Sequence, residues 1–261
     1  MTTQRMHLQL SFKTSKGFTI VELMIASALG LILLAGVIQL FLGSNRNHSL
    51  QTELASIQED GRFALTLLER EIQRASTSND AADTPRPIDL LLSSEGTSNA
   101  SDGVALLRIE DTDGVSNIDC NGAEVADGRV INHFYVDNGS LMCQGNGGGT
   151  AQPFISNVES FQVLYGIETD ACTDGVVNSY VKRDSISAST GVFAVQVALL
   201  LRSQNAVNQT SESHEFDILD QTYTSPSDKF IRRLFKRTVY MPNAVFVHSS
   251  IQSSDGACIS F

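Results

Sequence analysis

One carboxylate, Glu22, stands inside the run FTIVELMIASALGLILLAGVIQLFLG at 18–43 and carries the only formal charge there. A carboxylate in hydrocarbon costs about 2.5–3.5 kcal/mol at mid-depth and less near a helix end. It must therefore meet a cation or serve an assembly. Four cysteines, Cys120, Cys143, Cys172 and Cys258, all follow that run. Their even number outside a membrane suggests disulfides, and three pairings are possible. Cys120–Cys143 would bracket one strand-and-loop region, and Cys172–Cys258 would tie the tail to a central loop; these are the favoured pairs. No two cysteines stand at C-x-x-C spacing and no histidine cluster joins them, so no zinc site is expected.

Other reactive patterns are weak. Acids gather in Glu110-Asp111-Thr112-Asp113-Gly114 and in Glu168-Thr169-Asp170 with Asp174-Gly175. Neither places its acids and glycine as an EF-hand does, so solvated loops are expected, with calcium the lesser reading. Ser213, His214 and Asp217 are scattered elements of a triad rather than a constellation. Gly147-Gly148-Gly149 lacks the lysine of a phosphate loop and reads as a flexible loop. The basic run Arg232-Arg233-Leu234-Phe235-Lys236-Arg237 could meet DNA or a neighbour, but reads better as a solvated strand face. No catalytic group, cofactor or metal is expected.

These residues need elements to position them. Twenty-six residues of apolar helix span about 39 Å, enough for a hydrocarbon core of about 30 Å. Arg5, Lys13 and Lys16 precede it with no acid, which keeps that end cytoplasmic. The run is too long for a cleaved secretory signal and lacks its small-residue exit. The helical pattern continues through Leu50, Leu54, Ile57, Gly61, Ala64, Leu65, Leu68, Ile72 and Ala75, with Gln51, Glu53, Gln58, Arg62, Glu69, Arg70 and Gln73 on other faces. That is an amphipathic helix with one stripe for a sheet. With no proline between, 18–75 can form one helix of about 87 Å. Gly30, Gly36 and Gly43 are possible soft points.

Residues 76–103, with Pro85 and Pro87, read as a surface loop. Strands are expected at Val104–Ile109, Arg129–Val136, Ser140–Cys143, Phe154–Ile167, Val192–Arg202, Leu234–Tyr240 and Ala244–His248. Asp137-Asn138-Gly139 closes a hairpin between the second and third. The expected class is α+β, a long N-terminal helix on an antiparallel sheet.

Lys16-Gly17 followed by Phe18-Thr19-Ile20-Val21-Glu22 resembles the N-terminal signal of type IV pilins and pseudopilins. The resemblance implies cleavage by prepilin peptidase between Gly17 and Phe18, N-methylation of Phe18, and Glu22 as the assembly carboxylate paired with the new amine. Leu29-Gly30-Leu31, Gln58–Ala64 (QEDGRFA), Val158–Gly166 (VESFQVLYG), Val195–Ser203 (VQVALLLRS) and Arg233–Asn243 (RLFKRTVYMPN) resemble minor pilins of the PilW type. That family usually has Leu-Arg-Asn where Met241-Pro242-Asn243 stands. The implied division is a leader at 1–17, a membrane and filament-core helix at 18–43, its amphipathic continuation at 44–75, and a pilin-like head at 76–261. The implied role is a minor pilin in the complex that initiates or tips a type IV pilus, supporting motility, adhesion or DNA uptake. A tip pseudopilin of type II secretion is the alternative. Implied partners are prepilin peptidase, other minor pilins, the major pilin, inner-membrane lipid and a tip adhesin, with no direct nucleic-acid binding. The implied location is the bacterial inner membrane, head periplasmic, and then the surface pilus.

Composition fits. The 261 residues are 42% hydrophobic, 18% charged and formally −11, which excludes wholesale disorder and argues against general nucleic-acid binding. Mean hydropathy of −0.02 averages a membrane-grade helix with a polar head. Removal of 1–17 takes away three basic residues and no acid, so the side-chain charge becomes −14.

Overall fold

The computed structural model describes residues 17–75, 87–97, 99–109, 117–169, 175–187 and 190–244, and the backbone of 250–252 and 258–260. It divides into two compact units at Ser49/Leu50. Helix α1 runs Ile20–Arg74. In the first unit its side chains are exposed on every face.

In the second unit, α1 from Leu50 onward buries the expected stripe. Ile57, Gly61, Ala64, Leu65, Leu68 and Ile72 are buried, and Ala75 just beyond is as well. Full burial of Leu68 or Ile72 is worth about 1.5–3 kcal/mol each. Glu53, expected on another face, is buried too. Its carboxylate accepts from Gln204 N at 2.9 Å and from Asn205 Nδ2 at 2.6 Å. A local helical pattern cannot show partners so far away in sequence.

Strands β1 (Gly103–Ile109), β2 (Arg129–Asp137), β3 (Ser140–Gly145) and β4 (Gln152–Ser156) form one antiparallel sheet in that order. The second sheet takes β5 (Val158–Ile167), β6 (Ser179–Val181), β7 (Val192–Arg202) and, after a hairpin of β8 (Glu215–Ile218) and β9 (Gln221–Thr224), β10 (Arg232–Tyr240). Its order is β10-β7-β5-β6. A short backbone hairpin pairs β11 (Ser250–Gln252) with β12 (Cys258–Ser260). The architecture is α+β, with two main sheets where one was expected.

The β2–β3 turn has Asn138 at φ 47° and Gly139 at φ 71°. These are the two left-handed positions a tight hairpin turn needs. Strand β7 is apolar almost without alternation because both faces are covered. Val195, Val197, Leu199 and Leu201 enter the main core, while Ala198 and Leu200 meet Ile218 under the β8–β9 hairpin.

Three expectations need correction. Phe154–Ile167 is not one strand: Asn157, at φ 62°, breaks it and passes the chain from one sheet to the other. Asparagine tolerates that conformation better than most residues. The described part of 76–103 is not a surface loop. Asp89 N donates to Ala105 O and Leu107 N to Pro87 O, both at 2.9 Å, and Ile88 is 2% exposed. This segment lines the edge of β1, where an open ladder would invite association. Residues 76–86, with Pro85, lie outside the described residues. Ala244 lies in no strand, and 245–248 of the expected Ala244–His248 strand fall outside the described residues. Strand β10 ends at Tyr240, where Met241 turns inward, fully buried, and donates its N–H to Phe193 O at 2.8 Å.

Gly61 is where the helix meets β10. A Cβ there would stand 2.4 Å from two atoms of the Phe235 ring. Gly61→Val is therefore expected to destabilise the protein by about 1–3 kcal/mol through overpacking. A thermal melt of the full chain in detergent micelles checks this; an unchanged midpoint would refute it.

Candidate functional site

The candidate site is the start of α1. Gly17, Phe18 and Thr19 precede the helix in open, exposed backbone. A Cβ on Gly17 would meet nothing within 4 Å. The chain's own fold thus places no demand for glycine there, and any such demand must come from a partner that handles the neighbouring bond. Arg5, Lys13 and Lys16 lie outside the described residues.

Thr19 and Glu22 form a reciprocal cap. Glu22 N donates to Thr19 Oγ1 at 3.2 Å, and Thr19 N donates back to Glu22 Oε2 at 3.0 Å. Thr19 Oγ1 lies 3.1 Å from the same carboxylate oxygen. This arrangement satisfies helix-end donors, and the negative charge suits the positive end of the helix dipole. The carboxylate is thereby held at the helix entrance, one turn from Phe18. Around it the surface is apolar. Phe18 is 90% exposed and Leu40 76%, and the segment is long and apolar enough to cross a membrane. A water-facing surface of this extent would drive association.

Cys120 and Cys143 are joined by a disulfide, with their Cα atoms 6.3 Å apart. It links the loop before β2 to β3. Nearby, Asp119 accepts from Gly147 N at 2.8 Å and from Asn121 N at 2.9 Å, which ties the glycine run down. The Cys172–Cys258 pairing lies outside the described residues, as do 110–116 and 170–174 of the acidic runs. Among the described residues no three His, Cys, Asp or Glu side chains gather as a metal site would require. Ser213 Oγ donates to Ser225 O at 2.6 Å, and His214 Nε2 lies 3.7 Å from Glu212, so they share no triad with Asp217.

The basic run is the expected solvated face at Arg233, Lys236 and Arg237, which are exposed, but not at Arg232. Arg232 is buried between Glu159 and Asp228. Lys236 Nζ donates to Asp217 O at 2.7 Å and Arg237 pairs with Glu69.

Buried polar groups were the main omission of sequence reading. Asp102, 2% exposed, accepts from Gly96 N and Val163 N, both at 2.7 Å, and its own N–H donates to Phe161 O at 2.8 Å. Burial pushes its carboxyl from 3.8 up to about 7, against those two N–H groups that pull it down. Folded Asp102 therefore holds a proton that the unfolded chain releases between about pH 4 and 7. Its contribution to stability falls as pH rises through that window. The melting temperature is expected to carry this downward slope. Asp102→Asn should flatten it, at the cost of setting an amide NH2 against one N–H donor. A slope unchanged in that variant would refute the assignment.

Two family profiles match the chain. Residues 12–38 match the prokaryotic N-terminal methylation motif, and residues 130–243, from β2 through the end of β10, match type IV pilus-assembly protein W. A comparison with curated proteins finds no match. Among solved structures, a type IV-like pilin from Thermus thermophilus aligns at 16% identity with a TM-score of 0.45, covering 75% of this chain and 97% of that one. The methylation motif lies over the Thr19–Glu22 cap and the first part of the exposed apolar helix, and the second profile over β2 to β10, so the chain carries the N-terminal signal of type IV pilins and is similar, over 130–243, to type IV pilus-assembly protein W.

Proposed function

We propose that the chain is a minor pilin that helps initiate or tip a type IV pilus. One observation carries this: an exposed apolar helix, too hydrophobic for water, begins with a single capped carboxylate five residues after an unconstrained glycine. Prepilin peptidase would cut between Gly17 and Phe18, and Phe18 would be methylated on its new amine. Residues 18–43 would hold the chain in the inner membrane and later in the filament core, with 44–75 continuing the helix and 76–261 forming a periplasmic head. Other minor pilins and the major pilin would pack on the helix, and a tip adhesin would meet the head. The role is structural. Processing comes first, then assembly, with twitching motility, adhesion and DNA uptake as its consequences.

Gly17→Val tests the first step. The added side chain meets nothing in the chain itself, so folding is expected to be normal and processing lost. A gel of membranes should show only the unshortened chain; a shortened band would refute the cleavage site. Deletion of the gene tests the role: pili should fall sharply in number. Normal pili with impaired protein secretion would instead identify a type II secretion pseudopilin.

A further inference from the structure

Three separated stretches of chain meet at a surface cleft of about 460 Å³ in the second unit. Glu95, Gly96 and Thr97 come from the segment along β1, Lys182 and Asp184 from the turn after β6, and Gln221 from β9. Gln221 Nε2 donates to Gly96 O at 2.6 Å, and Arg183 N donates to Glu95 Oε2 at 3.1 Å. The cleft wall is thus fixed by the fold.

Two acceptors in this wall lack a hydrogen-bond donor: Glu95 Oε1 and Gln221 Oε1, both shielded. The Glu95 side chain is only 9% exposed. Buried acceptors of this kind are costly unless a donor arrives. Lys182 does not supply it. Its ammonium lies 2.5 Å from Asp220 Oδ2 and 3.7 Å from Glu95 Oε1, beyond hydrogen-bond distance of the latter, and its side chain is half exposed. Around the cleft stand the acids Glu95, Asp184 and Asp220 against the bases Lys182 and Arg183. Arg183 is spent on Asp184 and on Leu90 O. The balance is one negative charge. Burial raises the Glu95 carboxyl, against the Arg183 N–H and the Lys182 ammonium, which pull it down.

A divalent metal fits poorly, because the Lys182 ammonium already holds the Asp220 carboxylate. A second ammonium fits well: it carries three donors on a thin stem. We infer that this cleft receives a lysine side chain from a neighbouring pilin subunit, seated between Glu95 Oε1 and Gln221 Oε1. The source rests on the filament reading above; the ammonium chemistry does not.

The test uses the full chain in detergent micelles, titrated with N-acetyl-lysine amide and, in parallel, N-acetyl-norleucine amide, with backbone and side-chain amide NMR signals as readout. Saturable shifts at Gly96, Thr97 and the Gln221 amide are expected with the lysine probe alone. Glu95→Gln should weaken binding by about tenfold or more, the scale of one charged hydrogen bond. Lys182→Gln should tighten it by removing the competing cation, an effect that damage to the fold would not produce. No shift, or equal shifts with norleucine, would overturn the inference. Carbodiimide treatment of cell membranes should then join Glu95 to a lysine of another pilin-like chain, identified by mass spectrometry. Probe binding without that link would overturn the subunit as the source. Failure of the filament reading would show separately, as normal pili in the deletion strain.

Discussion

Glu22→Ala should be cleaved normally and then fail to enter pili. The substitution removes the side-chain half of the cap with Thr19, a loss of about 1 kcal/mol. That frays one helix entrance in a 55-residue helix and leaves Gly17 and Phe18 as accessible as before. The larger cost comes at assembly. Cleavage gives Phe18 a cationic amine, and without the carboxylate that amine enters an apolar surrounding unpaired. A charge so placed costs about 2.5–3.5 kcal/mol, so incorporation should fall by about a hundredfold. Blots of membranes and of sheared pili read the two steps separately. Glu22→Gln divides the roles further: its amide oxygen can still accept from Thr19 N, but it cannot neutralise the amine. Glu22→Gln should therefore fail as Glu22→Ala does. If it assembles normally, the cap alone explains the need for Glu22, and the charge-pairing account is wrong. Normal pili in Glu22→Ala would dispose of both.

The readable parts of this chain were those whose partners lie close in sequence. The stripe from Ile57 to Ala75, the Asn138-Gly139 turn and the apolar run of β7 each follow from a local period or a local φ requirement. The Thr19–Glu22 cap is local too and sits inside a recognisable motif. The unreadable parts depend on distance. Glu53 looks like a solvated helix residue until Asn205 reaches it, and Asp102 looks like a loop acid until Val163 does. The break at Asn157 hides between two apolar runs, because nothing in either run says that they belong to different sheets. Strands β8 and β9 are short, polar and joined through Leu219 at φ 56°, a conformation for which leucine gives no signal. The Glu95–Gln221 cleft is assembled from three such segments, so no single window of sequence displays it.

Arg232→Ala should be the most damaging single substitution in the second unit. The guanidinium is 1% exposed and forks onto two carboxylates. Nε and Nη2 meet Glu159 at 2.6 and 2.9 Å, while Nη1 and Nη2 meet Asp228 at 2.8 and 2.6 Å. The partners' side chains are 10% and 20% exposed. Alanine would leave two nearly buried anions facing each other without a cation, a loss of about 3–5 kcal/mol. For a unit of this size that lowers the melting temperature by about 10 °C. The exposed neighbour Arg233 is the control, since Arg233→Ala should cost under about 0.5 kcal/mol. Acid should act in the same direction as Arg232→Ala, though more weakly. Arg232 holds the Asp228 carboxyl below its ordinary 3.8, so that stabilisation is present above about pH 4 and is lost as pH falls through the lower folded value. The cluster also reports on register. Arg232 stands opposite Arg202 at the end of β7, and reaches across that strand to the start of β5. A one-residue slip of β10 would turn it to the other face. If register is its main service, the triple variant Arg232→Met with Glu159→Leu and Asp228→Leu should recover most of the melting temperature while broadening the transition. Full recovery with a sharp transition would show that packing alone sets the register of β10.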